Sequence, residues 1–440
     1  MKRRPAMRPE DVAARALSVM LPTLARPDDT QPADARLRAF FREHPSLGRR
    51  ERVQSADLVF DVLRNLRLYR VLASGDVVAQ EAPPEHLVAQ ARAVRAGEVA
   101  EATLAQLPAA VRFSLPDWLW ERLQAAHAER APAIAAALLD PAPVDIRANL
   151  LRVKAATLRD ELARRGVEAE PVPRVPTALR LVGRPALERL DLFERGWFEI
   201  QDAGSQWIVD ACAPRRGQLV VDFCAGAGGK TLALAARMRN AGRILAFDTS
   251  AERLSRIGPR AARAGIDIVT TMRLDGPEDP RLARYHGRAD VVLVDAPCSG
   301  TGTLARSPEL KWRLTPARLD ELLHLQGAIL AAAARLAKAG GTLVYATCSL
   351  LDEENRGQAR WYDERVSEAA GGPARQRKGA LPNAVSAGVA IAGTPDAGAD
   401  ERQLATKSAV PAPARTEDWL PGGRHSSGFF VAKWLTTPVA

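Results

Sequence analysis

"LVVDFCAGAGGKTLALAARM", residues 219–238, passes from a short apolar segment through a glycine-rich turn into a stretch with helical spacing of Leu and Ala. An apolar run of this length, bounded at once by turn residues, is the pattern of a strand covered on both faces. The same beat recurs downstream. "RILAFD" (243–248) is followed by the helical "AERLSRIGPRAARAG", then by "IVTTMRLD" (268–275) and "ADVVLVDAP" (289–297). A long helix is expected from about Pro316 to Ala339, and "GTLVYATCS" (341–349) closes the series. Strands alternating with helices predict an α/β domain with a parallel sheet, occupying residues 203–440. "HSSGFFVAKW" (425–434) is expected to complete that sheet, and the Ala-, Gly- and Pro-rich residues 366–415 read as a flexible insertion.

Two other textures precede this domain. Residues 1–138 carry apolar residues at three- and four-residue spacing, as in "DVAARALSVML" and "PDWLWERLQAAHA", and predict an all-α domain. Within it "LGRRERVQ" sets Arg49, Arg50 and Arg52 at a helix start, where cations oppose the helix dipole unless an anion such as an RNA phosphate offsets them. Residues 139–202 alternate strand, helix, strand, and predict a small α+β module.

The 440 residues carry a net charge of +10 with a pI near 9.9, which suits a polyanionic partner such as nucleic acid, although an Arg- and Ala-rich composition also follows from a GC-rich genome. Four cysteines (Cys212, Cys224, Cys298, Cys348) make neither a disulfide framework nor a metal-ligand spacing, so no metal is expected. The basic start "MKRRPAMRPEDVAARALSVMLPTLA" is interrupted by Glu10, Asp11 and Arg15 and does not read as a signal peptide. No segment is long and apolar enough to span a bilayer. A cytoplasmic monomer without a membrane partner is the expectation.

In an open parallel sheet, ligands bind beyond the carboxyl ends of the strands. The residues there form a series: Asp222 and "CAGAGGKT" after the first strand, Asp248 after the second, Asp275 after the third, Asp295 with Cys298 after the fourth, and Thr347 with Cys348 after the fifth. A single aspartate in such a place is commonly a helix cap; four in succession point to a site. Gly226, Gly228 and Gly229 let a ligand approach the backbone at a helix N-terminus. A Walker A loop fails because Cys224 stands where its first glycine belongs. A dinucleotide fingerprint is partial: Gly226 and Gly228 fit, Thr231 replaces the third glycine, and Asp248 stands at the ribose-binding distance. S-adenosylmethionine, a ribose without phosphate, asks for a less strict loop, with Asp248 as ribose clamp and Asp275 and Asp295 for its polar ends.

The paired thiols call for their own chemistry. Carbon 5 of cytosine is a poor nucleophile; a thiolate adding at carbon 6, with an acid group at N3, makes it enamine-like and able to attack a sulfonium methyl. A second thiol can assist release. Cys298, Cys348 and Asp295 supply that inventory, which N- or O-methylation does not need. A lone cysteine at a strand end is ordinarily a small buried hydrophobe, but two on adjacent strands beside a cofactor loop are not so easily dismissed.

At these residues the chain resembles the Fmu/Sun-type RNA cytosine-C5 methyltransferases. The likeness covers "CAGAGGKT", "FDTSAERL", "VDAPCSGTGTLARSPELKW" and "YATCSLLDEEN" in order and at family spacing, and extends to "FEIQDAGSQ" and "GFFVAKW", spanning roughly 140–440. It implies a Rossmann-like class I S-adenosylmethionine-dependent methyltransferase domain. It further implies that Cys348 is the nucleophile and that Cys298 aids product release. The cofactor is implied to lie on Cys224, Ala225, Gly226, Ala227, Gly228, Gly229, Lys230, Asp248, Asp275 and Asp295. Ala227 departs from the proline of many members and is expected to loosen the loop slightly. "RRERVQSADLVFDVLRNLR" (49–67) resembles the NusB-like RNA-binding domain of bacterial rRNA-modifying members. The implied substrate is RNA, rRNA or a ribosomal particle in the first place, with its target base flipped out or single-stranded. A tRNA cytosine methyltransferase, a ribosome-assembly factor without catalysis and a nicotinamide oxidoreductase on the same sheet are the rival readings.

Overall fold

The computed structural model describes residues 7–24, 26, 29, 31–78, 81–369, 414–421 and 427–436. Strands are numbered in chain order. A four-stranded antiparallel sheet comprises β1 (Asp145–Ala148), β2 (Ala169–Pro171), β3 (Ala178–Leu181) and β4 (Phe198–Ile200), in the order β2-β3-β1-β4. The helix Ala155–Arg164 packs on it through Leu158 and Leu162. The three-residue β2 had no counterpart among the expected strands; its residues are Ala, Glu and Pro, and only pairing with β3 makes them a strand.

The larger sheet is built from β5 (Leu219–Asp222), β6 (Arg243–Asp248), β7 (Val269–Arg273), β8 (Ala289–Asp295), β9 (Ala337–Thr347), β10 (Arg415–Trp419) and β11 (Phe429–Leu435), in the order β10-β11-β9-β8-β5-β6-β7. From β9 through β7 the pairings are parallel. Both faces are covered over the interior strands, as their continuous apolar runs require, while the edge strand β7 stays largely exposed. Val220, Ile244, Val291, Leu293 and Val344 face the helices Ala203–Cys212 and Gly229–Arg237. Val221, Leu245, Phe247, Val292, Val294 and Tyr345 face the other way, toward Ile329, Leu330 and Ala333 of the helix Pro316–Ala334.

Two expectations need correction, and a third falls largely outside the described residues. The final strand does complete the sheet, but β11 runs antiparallel to β9, and a further antiparallel strand, β10, lies outside it. The long helix stops at Ala334, and Ala337–Ala339 belong to β9, where Ala337 pairs with Ala289. Alanine favours helix, so this boundary is a case of sheet pairing overriding local propensity. The expected insertion 366–415 lies outside the described residues from 370 to 413; residue 366 is still inside the helix Gln358–Ala369, and Arg415 begins β10.

The N-terminal helices also divide by packing. Val12, Leu17, Val59, Leu63, Tyr69 and Leu87 form one core. Leu119, Leu123 and Ile134, by contrast, pack with Leu304, Leu319, Leu350 and Leu351 of the large-sheet region. Helical spacing reports which face is buried, not against which partner.

The helix Ala203–Cys212 sits close on β11: a Cβ added to Gly204 lies 2.1 Å from Phe429 Cδ2. Alanine in place of glycine gains about 1 kcal/mol of helix propensity, whereas forcing a methyl into a filled core costs about 1–3 kcal/mol. Gly204→Ala is therefore expected to lower stability, read as a lower urea midpoint with an unchanged m-value; a raised midpoint contradicts this packing.

Candidate active site

β8 and β9 run parallel with Asp295 opposite Ala346. The loops that follow leave the same edge of the sheet side by side, and Cys298 Sγ and Cys348 Sγ are 3.4 Å apart. Both are free thiols. The Cys298 thiol is pushed well up, chiefly by its hydrogen bond to Cys348 and then by burial, so it holds its proton. Cys212 and Cys224 are pushed up too, by burial foremost, which leaves them as inert thiols. Cys224 also packs against the core on the Phe223 side of the sheet.

The glycine loop is shaped by backbone conformations that side chains resist. Gly226 has φ +54° and Gly228 φ +81°, and a Cβ on Gly228 lies 2.8 Å from Ile257 Cγ1. Gly226 N–H donates to Asp248 Oδ2 at 2.8 Å, and Asp248 Oδ1 accepts from Ser250 N–H at 2.8 Å and from Arg253 Nη2 at 2.9 Å. Ala225, buried, donates its N–H to Phe247 O at 2.7 Å. Ala227 lacks a proline ring, yet Arg260 Nη1 donates to its carbonyl.

Lys230 turns toward the thiol side. Its Nζ donates to Asp295 Oδ2 at 2.5 Å, joining the glycine loop to the Cys298 loop. Burial alone lowers an ammonium pKa, but the Asp295 carboxylate outweighs it, and Lys230 ends above the ordinary lysine value. Its charge is thus committed to a carboxylate. Asp248 adds to the negative character of the strand ends, and Asp222 does so only above about pH 7, an environment that disfavours a phosphate and favours a cation.

Asp222 is fully buried; its Oδ2 accepts from Thr231 Oγ1 at 2.7 Å, and its Oδ1 has no hydrogen-bond partner among the described residues. Burial pushes its carboxyl up to about 7. Asp275, the remaining aspartate of the series, is placed differently. Its side chain is 74% exposed and its carboxylate pairs with Arg273 at 3.2 Å and with Arg281 at 3.6 Å. β7 is the edge strand, so its end lies at the margin of the sheet while Asp222, Asp248 and Asp295 follow interior strands.

Several residues of the site escaped the sequence reading. The buried Arg147 of β1 donates from Nη1 to Gly229 O at 2.8 Å and to Gln201 Oε1 at 2.5 Å. Arg260 pairs with Glu199 of β4 at 2.9 Å while holding Ala227 O. The small antiparallel sheet thus braces the glycine loop from two sides. Glu199 and Gln201 lie within the quoted "FEIQDAGSQ", but nothing local says what they meet; Arg147 gives no signal at all. Among the described residues no group of acidic, histidine or cysteine side chains is arranged to hold a metal ion, and no helix is long and apolar enough to cross a membrane.

Residues 209–435 match the family described as 16S rRNA methyltransferase RsmB/F, and residues 115–188 match the ferredoxin-like domain of RsmF/B-like methyltransferases. "Ribosomal RNA small subunit methyltransferase B" of Citrobacter koseri is 36% identical over 336 residues, which are 76% of this chain and 70% of that protein. "Probable ribosomal RNA small subunit methyltransferase B" of Synechocystis sp. is 36% identical over 249 residues, 56% of either chain, so the match spans little more than half of that relative. The crystal structure of PH0851 matches 98% of this chain and 99% of its own with a TM-score of 0.70 at 24% identity, a likeness of fold.

Asp222 makes stability depend on pH in a definite direction. Its carboxyl is raised from 3.8 to about 7 on folding, so the folded state binds the extra proton between those values, and stability falls as pH rises through that window. The cost is on the order of a few kcal/mol. Asp222→Asn should remove it, so the variant gains on the parent between pH 5 and about pH 7 in urea unfolding. Parallel pH profiles for the two proteins contradict this placement.

Proposed function

The chain belongs to the RsmB/F family of 16S rRNA methyltransferases, and we propose that it methylates carbon 5 of a cytosine in small-subunit ribosomal RNA with S-adenosylmethionine as donor. The observation that carries the cytosine chemistry is the 3.4 Å contact between two free thiols, beside a carboxylate held by a half-buried lysine. The relatives' name, ribosomal RNA small subunit methyltransferase B, favours rRNA over tRNA as the substrate. A catalytically empty assembly factor has no use for the paired sulfurs, and a nicotinamide enzyme has none for either them or a phosphate-averse loop.

The residues of the loop fit a sulfonium nucleoside. Asp248 uses three of roughly four acceptor positions on its carboxylate, which leaves room for a hydroxyl. Asp222 has an unused buried oxygen. Lys230 is neutralised by Asp295, so its ammonium does not ask for a phosphate. When bound there, S-adenosylmethionine supplies an electrophilic methyl group.

The chain's own residues do the rest. Cys348 as thiolate adds to carbon 6 of the flipped-out base, forming an S–C bond and moving electron density onto N3. The Asp295 carboxylate, oriented by Lys230, takes the proton that Cys348 gives up and delivers it to N3. Carbon 5, now enamine-like, takes the methyl; its proton then passes to the Cys298 sulfur as that thiol gives its own to the departing Cys348 sulfur, which restores the ring double bond, and the N3 proton leaves through Asp295. Cys298 holds its proton beside that sulfur and can donate it to the departing thiolate.

The test is to incubate each thiol variant with RNA and S-adenosylmethionine. Cys298→Ala should accumulate a covalent protein–RNA adduct, seen as a shifted band on a denaturing gel, because release is impaired while addition is not. Cys348→Ala should give no adduct and no methylation. If neither variant traps RNA and both still methylate it, the two-thiol mechanism is wrong.

A further inference from the structure

The two thiol loops share one buried carboxylate. Glu354 is fully buried, in the turn Glu353–Gly357 that follows the Cys348 loop. Its Oε1 accepts from the backbone N–H of Ser299 at 2.8 Å and from Gln326 Nε2 at 2.9 Å. Its Oε2 accepts from the hydroxyls of Ser299 and Ser349. Ser299 and Ser349 are the residues immediately after Cys298 and Cys348. Burying a carboxylate costs several kcal/mol unless donors saturate it. Here every donor is neutral, and three of the four come from the two thiol loops.

We propose that Glu354 is the positioning residue that sets the spacing of the two sulfurs, by tying the backbone after Cys298 to the side chain after Cys348 through one rigid group. The surrounding contacts run the same way. Gly302 N–H donates to Cys348 O at 2.9 Å, Leu350 N–H to Thr301 Oγ1 at 2.8 Å, and Asn355 Nδ2 to Ser349 O at 3.0 Å. Tyr345 OH donates to Glu354 O at 2.8 Å and so anchors the turn to β9. The negative charge of Glu354 is also among the causes, though a lesser one, that keep the Cys298 thiol protonated. The catalytic meaning of this spacing rests on the cytosine mechanism above; the spacing itself does not.

The decisive measurement is therefore one that needs no RNA. The full chain is equilibrated with reduced and oxidised glutathione: two thiols become one disulfide as one oxidised glutathione becomes two reduced ones, and the equilibrium constant reports the effective concentration of one thiol at the other. Glu354→Gln keeps the shape but replaces an acceptor with a donor, and should lower that constant for Cys298–Cys348 about tenfold. Single-turnover methylation should fall about tenfold to a hundredfold with RNA binding unchanged. Ser299→Ala combined with Ser349→Ala keeps the charge and the Ser299 N–H contact, should move both readouts the same way, and carries the test if the glutamine variant does not fold. A folded variant with the parental disulfide equilibrium overturns the proposal, as does a parent whose two thiols never pair. A shifted equilibrium with no adduct from Cys298→Ala upholds Glu354 and overturns the cytosine reading instead.

Discussion

The parallel, in-register pairing of β8 with β9 is the constraint on which the site depends. Neither strand is short of apolar surface: Val292, Leu293, Val294, Leu343, Val344 and Tyr345 are all fully buried, alternating between the two faces of the sheet. A slip of one residue would turn every one of them to the opposite face, so the register that puts Asp295 opposite Ala346 is held by the whole core. Because the strands are parallel, both loops leave at the carboxyl edge, and the sulfurs three and two residues farther on come together. Antiparallel neighbours would have sent the loops to opposite ends of the molecule.

The strand ends gather carboxylates, and each is handled in its own way. Asp295 has an ammonium against it, Asp248 has backbone and guanidinium donors, and Asp222 is left largely uncharged by burial below neutral pH. An arrangement with Lys230 free above the glycine turn would suit a phosphate. Committing Lys230 to Asp295 instead makes the same turn hospitable to a positively charged nucleoside and delivers a lysine to the thiol side. One pair of side chains thus serves both halves of the site.

The accessory domains are fastened to this machinery. Arg147 and Glu199 come from the small antiparallel sheet, yet their partners are the glycine loop and the arginine that grips it. From the N-terminal helices, Arg64 donates to Ala305 O at 2.9 Å, and Ala33 N–H donates to Glu309 Oε1 at 3.1 Å. Lys311 is buried and donates to Arg64 O at 2.6 Å, at the end of the helix Arg49–Arg64. A cation at a helix C-terminus gains up to about 2 kcal/mol, less than the several kcal/mol that burying an ammonium costs. Burial accordingly drives the Lys311 pKa well down. That contact is better understood as fixing how the helices sit on the loop after Cys298 than as a source of stability.

Much of the architecture was written in the chain as local pattern. Apolar runs of four to seven residues ending in Asp, the glycine turn, and two cysteines placed after successive strands suffice for a parallel α/β sheet with chemistry at its carboxyl edge, because period, turn propensity and covered-strand composition are all short-range properties. Resemblance at the same residues added the cofactor and the thiols' roles. What local pattern could not carry was anything set by a distant partner. The end of the helix at Ala334 was decided by Ala337 pairing with Ala289, and β10 by β11. Arg147 looks like any strand residue until Gly229 lies against it, 82 positions away. Asp222, Asp248, Asp275 and Asp295 looked alike as strand-end aspartates, but an edge strand leaves Asp275 in solvent among arginines, whereas interior strands bring the others against Thr231, Gly226 and Lys230. Glu354 was visible as a letter in "YATCSLLDEEN"; that its carboxylate spans two loops 50 residues apart is a property of the folded sheet, since only tertiary packing removes water and leaves those serines as its donors.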